Sequence, residues 1–275
     1  MVDSVSTKGS RWKRRTIKLL IVVAIVGGGA WYLLGWLDLR EAVKGDDLEN
    51  ARRILDNPVF SHHATDALFY ARSGRMVDLL VSRGAAVTYR RSSGVTPLHC
   101  ACGLGAADAV GALLARGALP NQQDGSGNTP LHWATDKFID PDRGFDPGGW
   151  ADENRRAVET AEILVAKGEF VDVRNSGGWT PLMNAASWNP SLVRFLLLKG
   201  ADPKVSDSSG FTPLHLAAEA SQGEVIRVLL EHGADPNARN WEGKTPLDCA
   251  RDRPGFRDVV GVLPAGNSTT RRTLR

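Results

Sequence analysis

Asp140, Asp142 and Asp146 lie two and four residues apart in a stretch rich in turn formers. Closely spaced carboxylates of this kind suit a hard divalent cation. A calcium loop of the EF-hand type needs ligands at positions 1, 3 and 5, glycine at 6 and a carboxylate at 12. Counted from Asp140, those last places are displaced: Gly144 stands at position 5 and Ala151 at position 12. The mismatch argues against calcium, and a protruding partner-contact loop or a solvated spacer fits the stretch better. His62, His63 and His232 have no cysteine or carboxylate at zinc-ligand spacing, and Cys100, Cys102 and Cys249 form no zinc pattern. The chain contains no Walker loop, dinucleotide fingerprint, nucleophile elbow or HExxH string. No nucleophile, base and orienting group can be nominated together. The expectation is a protein without catalytic residues, metal, cofactor or small-molecule substrate.

The elements that would carry these groups follow from an internal repeat. Gly94-Val95-Thr96-Pro97-Leu98-His99-Cys100-Ala101 returns as Gly127-Asn128-Thr129-Pro130-Leu131-His132-Trp133-Ala134. Further copies begin at Gly178, Gly210 and Gly243, with Met183 and Asp248 in place of the histidine in two of them. Successive threonines are 33, 51, 32 and 33 residues apart, and a degenerate copy at Thr65 precedes the first by 31. Threonine is a helix N-cap and proline suits the first helical position. A second apolar stretch with a Leu-Leu pair then runs to a glycine at 117, 200 or 233, which ends a helix in the left-handed region. Because His99, His132 and His215 recur at one structural position, they read as hydrogen-bonded scaffold groups rather than ligands. Cys100 and Cys249 are four stacking steps apart, too far for a disulfide. The three cysteines are read as small buried apolar residues.

The TPLHxA string and the period near 33 resemble the ankyrin repeat, with five near-complete copies over residues 92–263. The resemblance implies an all-α solenoid of stacked helix pairs with β-hairpin loops and a concave groove that binds other proteins. Residues 39–57 read as N-terminal capping helices, part of a segment 38–57, and residues 58–264 as about six repeats. The repeat at Thr129 is 18 residues longer than its neighbour, and the extra material is placed at 137–156, between its two helices. In that family, contacts come from hairpin tips, the residue before Thr-Pro and the end of the inner helix. Carried onto this chain, these positions single out Trp179, Phe211, Trp241 and Glu242, together with Trp188, Arg91 and Glu219. Clustered exposed aromatics mark interaction hot spots.

The 275 residues are 42% hydrophobic and 24% charged, as globular proteins are. The net charge of +3 is unevenly spread: residues 1–18 carry +5, residues 19–264 carry −5, and the tail 265–275 carries +3. A mildly acidic body does not suit nucleic acid. The tail is expected to be disordered, and its Asn267-Ser268-Thr269 sequon matters only in a eukaryotic secretory lumen.

Behind the basic cluster, Leu19 to Leu37 is uncharged. As a helix it would be roughly 28 Å long, enough to cross a bilayer's hydrocarbon. Trp31, Tyr32 and Trp36 fall at its far end, where rings favour the interface. The charge asymmetry places the N-terminus in the cytoplasm and the repeats on the other side, periplasmic in a bacterium. A cleaved secretory signal, cut after Ala30, competes with this single-pass anchor. The expected function is a membrane-tethered ankyrin scaffold that binds another protein. The alternatives are an exported soluble inhibitor or accessory factor of an enzyme, and a metal-binding or enzymatic module built on 137–156.

Overall fold

The computed structural model describes residues 29–136 and 150–263 apart from Asp252 and Pro254. The basic flank, residues 19–28 of the expected span, the three aspartates and the tail lie outside these residues. The chain divides into two compact units, Met1–Val87 and Thr88–Arg275.

In the first unit, α1 (Gly29–Lys44) and α2 (Leu48–Leu55) pack on each other. A short 3-10 turn (Ser61–His63) leads to α3 (Ala64–Leu68) and α4 (Gly74–Ser82). The buried side chains are those of one helix face each: Leu39, Ala42 and Val43, then Ala51 and Leu55, then Met76, Val77 and Leu80. Asp47 caps α2 by accepting from the Asn50 amide, and Ser73 caps α4 by accepting from that of Met76.

The expected boundary at Leu37 is not a helix end. α1 runs unbroken through it to Lys44, because Leu39, Ala42 and Val43 continue an apolar face that α2 covers. Trp36 is half-buried against protein. Its ring lies 5.5 Å from that of His63 and 6.1 Å from that of Tyr70. Gly35 leaves room for the Phe60 ring, which a Cβ would overlap. The end of the expected span is thus packed against protein. No described helix is long and apolar enough to cross a membrane.

The second unit is a repeat stack. Each Thr-Pro starts an inner helix: α5 (Pro97–Gly103), α7 (Pro130–Thr135), α9 (Pro181–Ala186), α11 (Pro213–Glu219) and α13 (Pro246–Ala250). Each is followed by an outer helix: α6 (Ala107–Ala115), α8 (Trp150–Ala166), α10 (Pro190–Leu198), α12 (Gly223–Glu231) and α14 (Phe256–Val260). Inner helices contact inner and outer contact outer along the series. The leucine of each of the first four Thr-Pro-Leu strings is fully buried, as are Leu113, Leu164, Leu196 and Leu229 of the outer layer. Each contributes about 2 kcal/mol by burial, and only against its neighbours.

Two expectations need correction. Residues 150–156 are not loop: they form the first two turns of α8, the longest described helix at 17 residues. Salt bridges Arg155–Asp152 (2.6 Å) and Arg156–Asp152 hold those turns at helical spacing. The connecting loops are also not β-hairpins, since the described residues contain no strand. Each loop closes on two backbone bonds, for example Asp124 N to Asn128 O at 2.8 Å and Gly127 N to Asp124 O at 3.0 Å. In every loop but the first, which begins at Arg91, the side chain at the first position takes two further amides. Asp124 Oδ1 accepts from Ser126 and Asn128, Asn175 Oδ1 from Gly177 and Trp179, and Asp207 Oδ1 from Ser209 and Phe211. These Asx turns use the donors that a ladder would need. Between neighbouring loops the backbone is joined by one bond at each step, such as Gly125 N to Ser93 O and Ser176 N to Ser126 O. Gly127 is required at this approach: its φ is +77°, and a Cβ would lie 2.8 Å from Ser176 N.

Candidate functional site

The repeated histidine sets the inner face. In α5, α7 and α11 its Nδ1 receives the N–H of the capping threonine at 3.1–3.2 Å. Its Nε2 donates to the carbonyl of the residue before the next Thr-Pro: His99 to Asn128, His132 to Trp179 and His215 to Lys244, at 3.0–3.1 Å. An imidazole that accepts at Nδ1 and donates at Nε2 is neutral. Burial lowers the pKa of all three, with the Nε2 bond to the carbonyl pulling the other way. They are joints between repeats, not ligands. Asp248 reproduces the cap, taking the Thr245 amide and hydroxyl at 3.1 and 2.8 Å. It has no donor with which to reach onward. Fully buried Met183 supplies neither bond.

The cysteines are free thiols, but only Cys102 is buried; Cys100 and Cys249 are half-buried. Burial pushes the pKa of Cys100 up to about 11, and that of Cys249 likewise. At both, burial disfavours the thiolate, the reactive form. Among the described residues no group of three or more His, Cys, Asp or Glu is placed to hold a metal.

The partner residues expected from the sequence fall into different environments. Trp241 is 81% exposed at the last loop tip, its ring edge beside the Gly210 backbone. Glu242 next to it is exposed and pairs with Lys244 at 2.5 Å. Trp179 and Phe211 are half-buried, and Phe211 tilts against His215 with ring centroids 5.6 Å apart. Trp179, Phe211 and Trp241 make no ring contacts with one another. Arg91 is half-buried and its amide closes the first loop on Val95 O. Glu219 pairs with Arg253 at 3.5 Å.

Trp188 is misplaced in the expected patch. It is only 8% exposed, and its Nε1 donates to Thr135 O at 2.9 Å. The family position marks the end of the inner helix. Here that end is drawn under the preceding repeat, where the indole satisfies the last carbonyl of α7.

The structure adds a cleft of about 380 Å³ on the same unit. Its lining includes Ser93, Val95, Asp124, Asn128, Trp133, Asp136 and Asn184. Trp133 Nε1 donates to Asp124 Oδ2 at 2.9 Å, and Asn175 Nδ2 to Asn128 Oδ1 at 2.8 Å. Burial would raise the Asp124 pKa. The Trp133 indole and the Asn128 and Ser126 amides outweigh that and hold it below the usual carboxylate range. The cleft therefore keeps a fixed negative charge beside an aromatic ring. Asn128 and Val95 each stand directly before a Thr-Pro, where the family makes contacts; Trp133, Asp124 and Asp136 do not. The signal for Trp133 was present, since the same place in the other copies holds Cys100, Asn184, Leu216 and Cys249.

An open aromatic tip, a polar cleft and a row of cap-and-bridge histidines are features of a surface built by repetition. The chain matches the family described as ankyrin repeats (three copies) over residues 39–124, 67–140 and 189–271, which together take in well over half its length. The protein belongs to the ankyrin-repeat family.

Proposed function

We propose that this protein is a membrane-tethered scaffold that captures another protein through its loop tips and inner face and performs no chemistry itself. The observation that carries this reading is Trp241. A tryptophan held 81% open on a loop fixed by Asn240 Oδ1, which accepts from Glu242 and Lys244, contributes little to the fold. It is the residue type most enriched at binding hot spots. Trp179 and Phe211 offer part-open faces on the preceding loops, and the cleft beside Trp133 supplies polar contacts.

Affinity capture from detergent extract tests it. Trp241→Ala is expected to reduce the captured protein by about tenfold or more, the loss of one hot-spot contact of roughly 1.4 kcal/mol. The melting temperature should stay within about 2 °C of wild type, as for an exposed site. Undiminished capture by Trp241→Ala and by a Trp179→Ala, Phe211→Ala double variant would overturn the proposal.

The tether rests on the uncharged run from Leu19 and its basic flank. A cut after Ala30 would fall inside α1, which supports an uncleaved anchor. A reporter enzyme fused at the C-terminus should be active only outside the cytoplasm. Activity only inside would place the repeats on the other face.

A further inference from the structure

After α4, α6, α8, α10 and α12 the chain turns through a left-handed glycine, and the next residue enters a small buried seat. That seat holds alanine in four repeats, Ala85, Ala118, Ala201 and Ala234, each 5–7% exposed. In the repeat at Thr129 it holds Glu169, which is 5% exposed. A carboxyl on two methylenes occupies a place built for a methyl group. Its Oε1 accepts from the Leu131 amide at 2.9 Å, in the first turn of α7. Its Oε2 is buried and has no hydrogen-bond partner among the described residues. A buried carboxylate with one oxygen left without a bond is costly, far more so than a neutral acid.

The surroundings offer no compensating charge. The titratable group facing Glu169 is the fully buried Cys102 thiol of α5. The head of α7 presents only the Thr129 hydroxyl and the Leu131 amide, and no charged side chain of α6, α7 or α8 acts on the carboxyl. Burial first, with Thr129 and Leu131 pulling back, raises its pKa from 4.5 to about 7. The turn is clamped on both sides of this residue by one side chain: Asn121 Nδ2 donates to Gly168 O, and Asn121 Oδ1 accepts from Phe170 N, both at 3.0 Å.

We propose that Glu169 is a protonation-controlled latch that seats the turn at Gly168, Glu169 and Phe170 against α7 while its carboxyl is neutral and releases it when the carboxyl ionises. The closed seat holds the proton more tightly than the open one, so closure is favoured at low pH and weakens as pH climbs from 4.5 through about 7. Opening removes the acceptor of the Leu131 amide and strains the Asn121 clamp. It loosens the start of the helix that carries His132 and Trp133.

Amide hydrogen exchange on the full chain in detergent micelles, corrected for intrinsic rates, tests the latch. Between pH 5.5 and 8.5 the protection of the Leu131 and Phe170 amides should fall roughly thirtyfold in the wild type, as linkage between those two pKa values requires. In Glu169→Gln, neutral throughout and still an acceptor, both should hold within about threefold. Glu169→Ala restores the seat of the other repeats and should hold the Phe170 amide at both pH values, even if glutamine fits poorly. The inner-face histidines cannot imitate the effect: their depressed pKa values make the fold firmer as pH rises toward 6.5. Protection that does not fall in the wild type, or that falls equally in both variants, would overturn the proposal.

Discussion

Replacing Trp188 by alanine is expected to lower the unfolding free energy by about 3–5 kcal/mol, the range for removing a buried large aromatic. Two losses combine. The indole fills space between repeats, where it is 8% exposed, and a cavity there is lined on both sides by neighbours that cannot close it. Its Nε1 also satisfies Thr135 O at 2.9 Å, the carbonyl at the end of α7 that has no partner within the helix. Urea unfolding should show a lower midpoint with an unchanged slope. Trp188→Phe keeps most of the volume and loses the hydrogen bond, so about 1–2 kcal/mol should go. If Trp188→Ala instead left the midpoint in place and abolished partner capture, the side chain would be a contact residue after all.

The second large effect is expected at His132. His132→Ala removes a fully buried ring and leaves the Thr129 amide and the Trp179 carbonyl without their partners. Orphaned buried groups of this kind cost about 1–3 kcal/mol each, so a total near 3 kcal/mol is expected. The same bond set predicts how the wild type responds to acid. The folded pKa values of His99, His132 and His215 are lowered, chiefly by burial. The unfolded chain therefore takes up protons first. The stability that these histidines contribute should be full above about pH 6.5 and fall as pH drops below it, because a protonated Nδ1 cannot accept the threonine amide. Glu169 acts in the opposite sense, losing stability as pH rises toward 7. The two are separable by following Glu169→Gln, in which only the acid-side loss should remain. A His132→Ala variant with wild-type stability and an unchanged acid limb would refute the joint role.

Much of this was legible in the residues because it depends on local chemistry. Threonine followed by proline starts a helix wherever it occurs, and glycine ends one. The recurrence of His99, His132 and His215 already argued for a shared scaffold role. What the pattern did not convey was the onward reach of Nε2 to the next repeat, since that acceptor lies 29 to 47 residues away. The loops were expected as β-hairpins because the family is described that way. Asp124, Asn175 and Asp207 instead spend the turn amides on their own carboxylate and amide oxygens.

Glu169 shows a signal present but unread. Aligned by their glycines, the chain has Gly84-Ala85, Gly117-Ala118, Gly200-Ala201 and Gly233-Ala234, yet Gly168-Glu169. The departure is visible in the letters. Its meaning is not, because only burial turns a glutamate from a solvated surface residue into a constrained acid.

The sequence by itself determined the family, the helix starts and stops and the identity of the inner leucines, since each follows from a short-range preference repeated at a fixed period. Tertiary structure alone decided which large side chains remain open. Trp188 and Trp241 are chemically the same residue, and both fall at positions the family pattern marks for contact. Stacking draws one beneath the preceding repeat and leaves the other at the last loop tip, where the Gly210 backbone meets only its edge. Exposure in a repeat stack is a property of the neighbours, so it cannot be read from the residue that carries it.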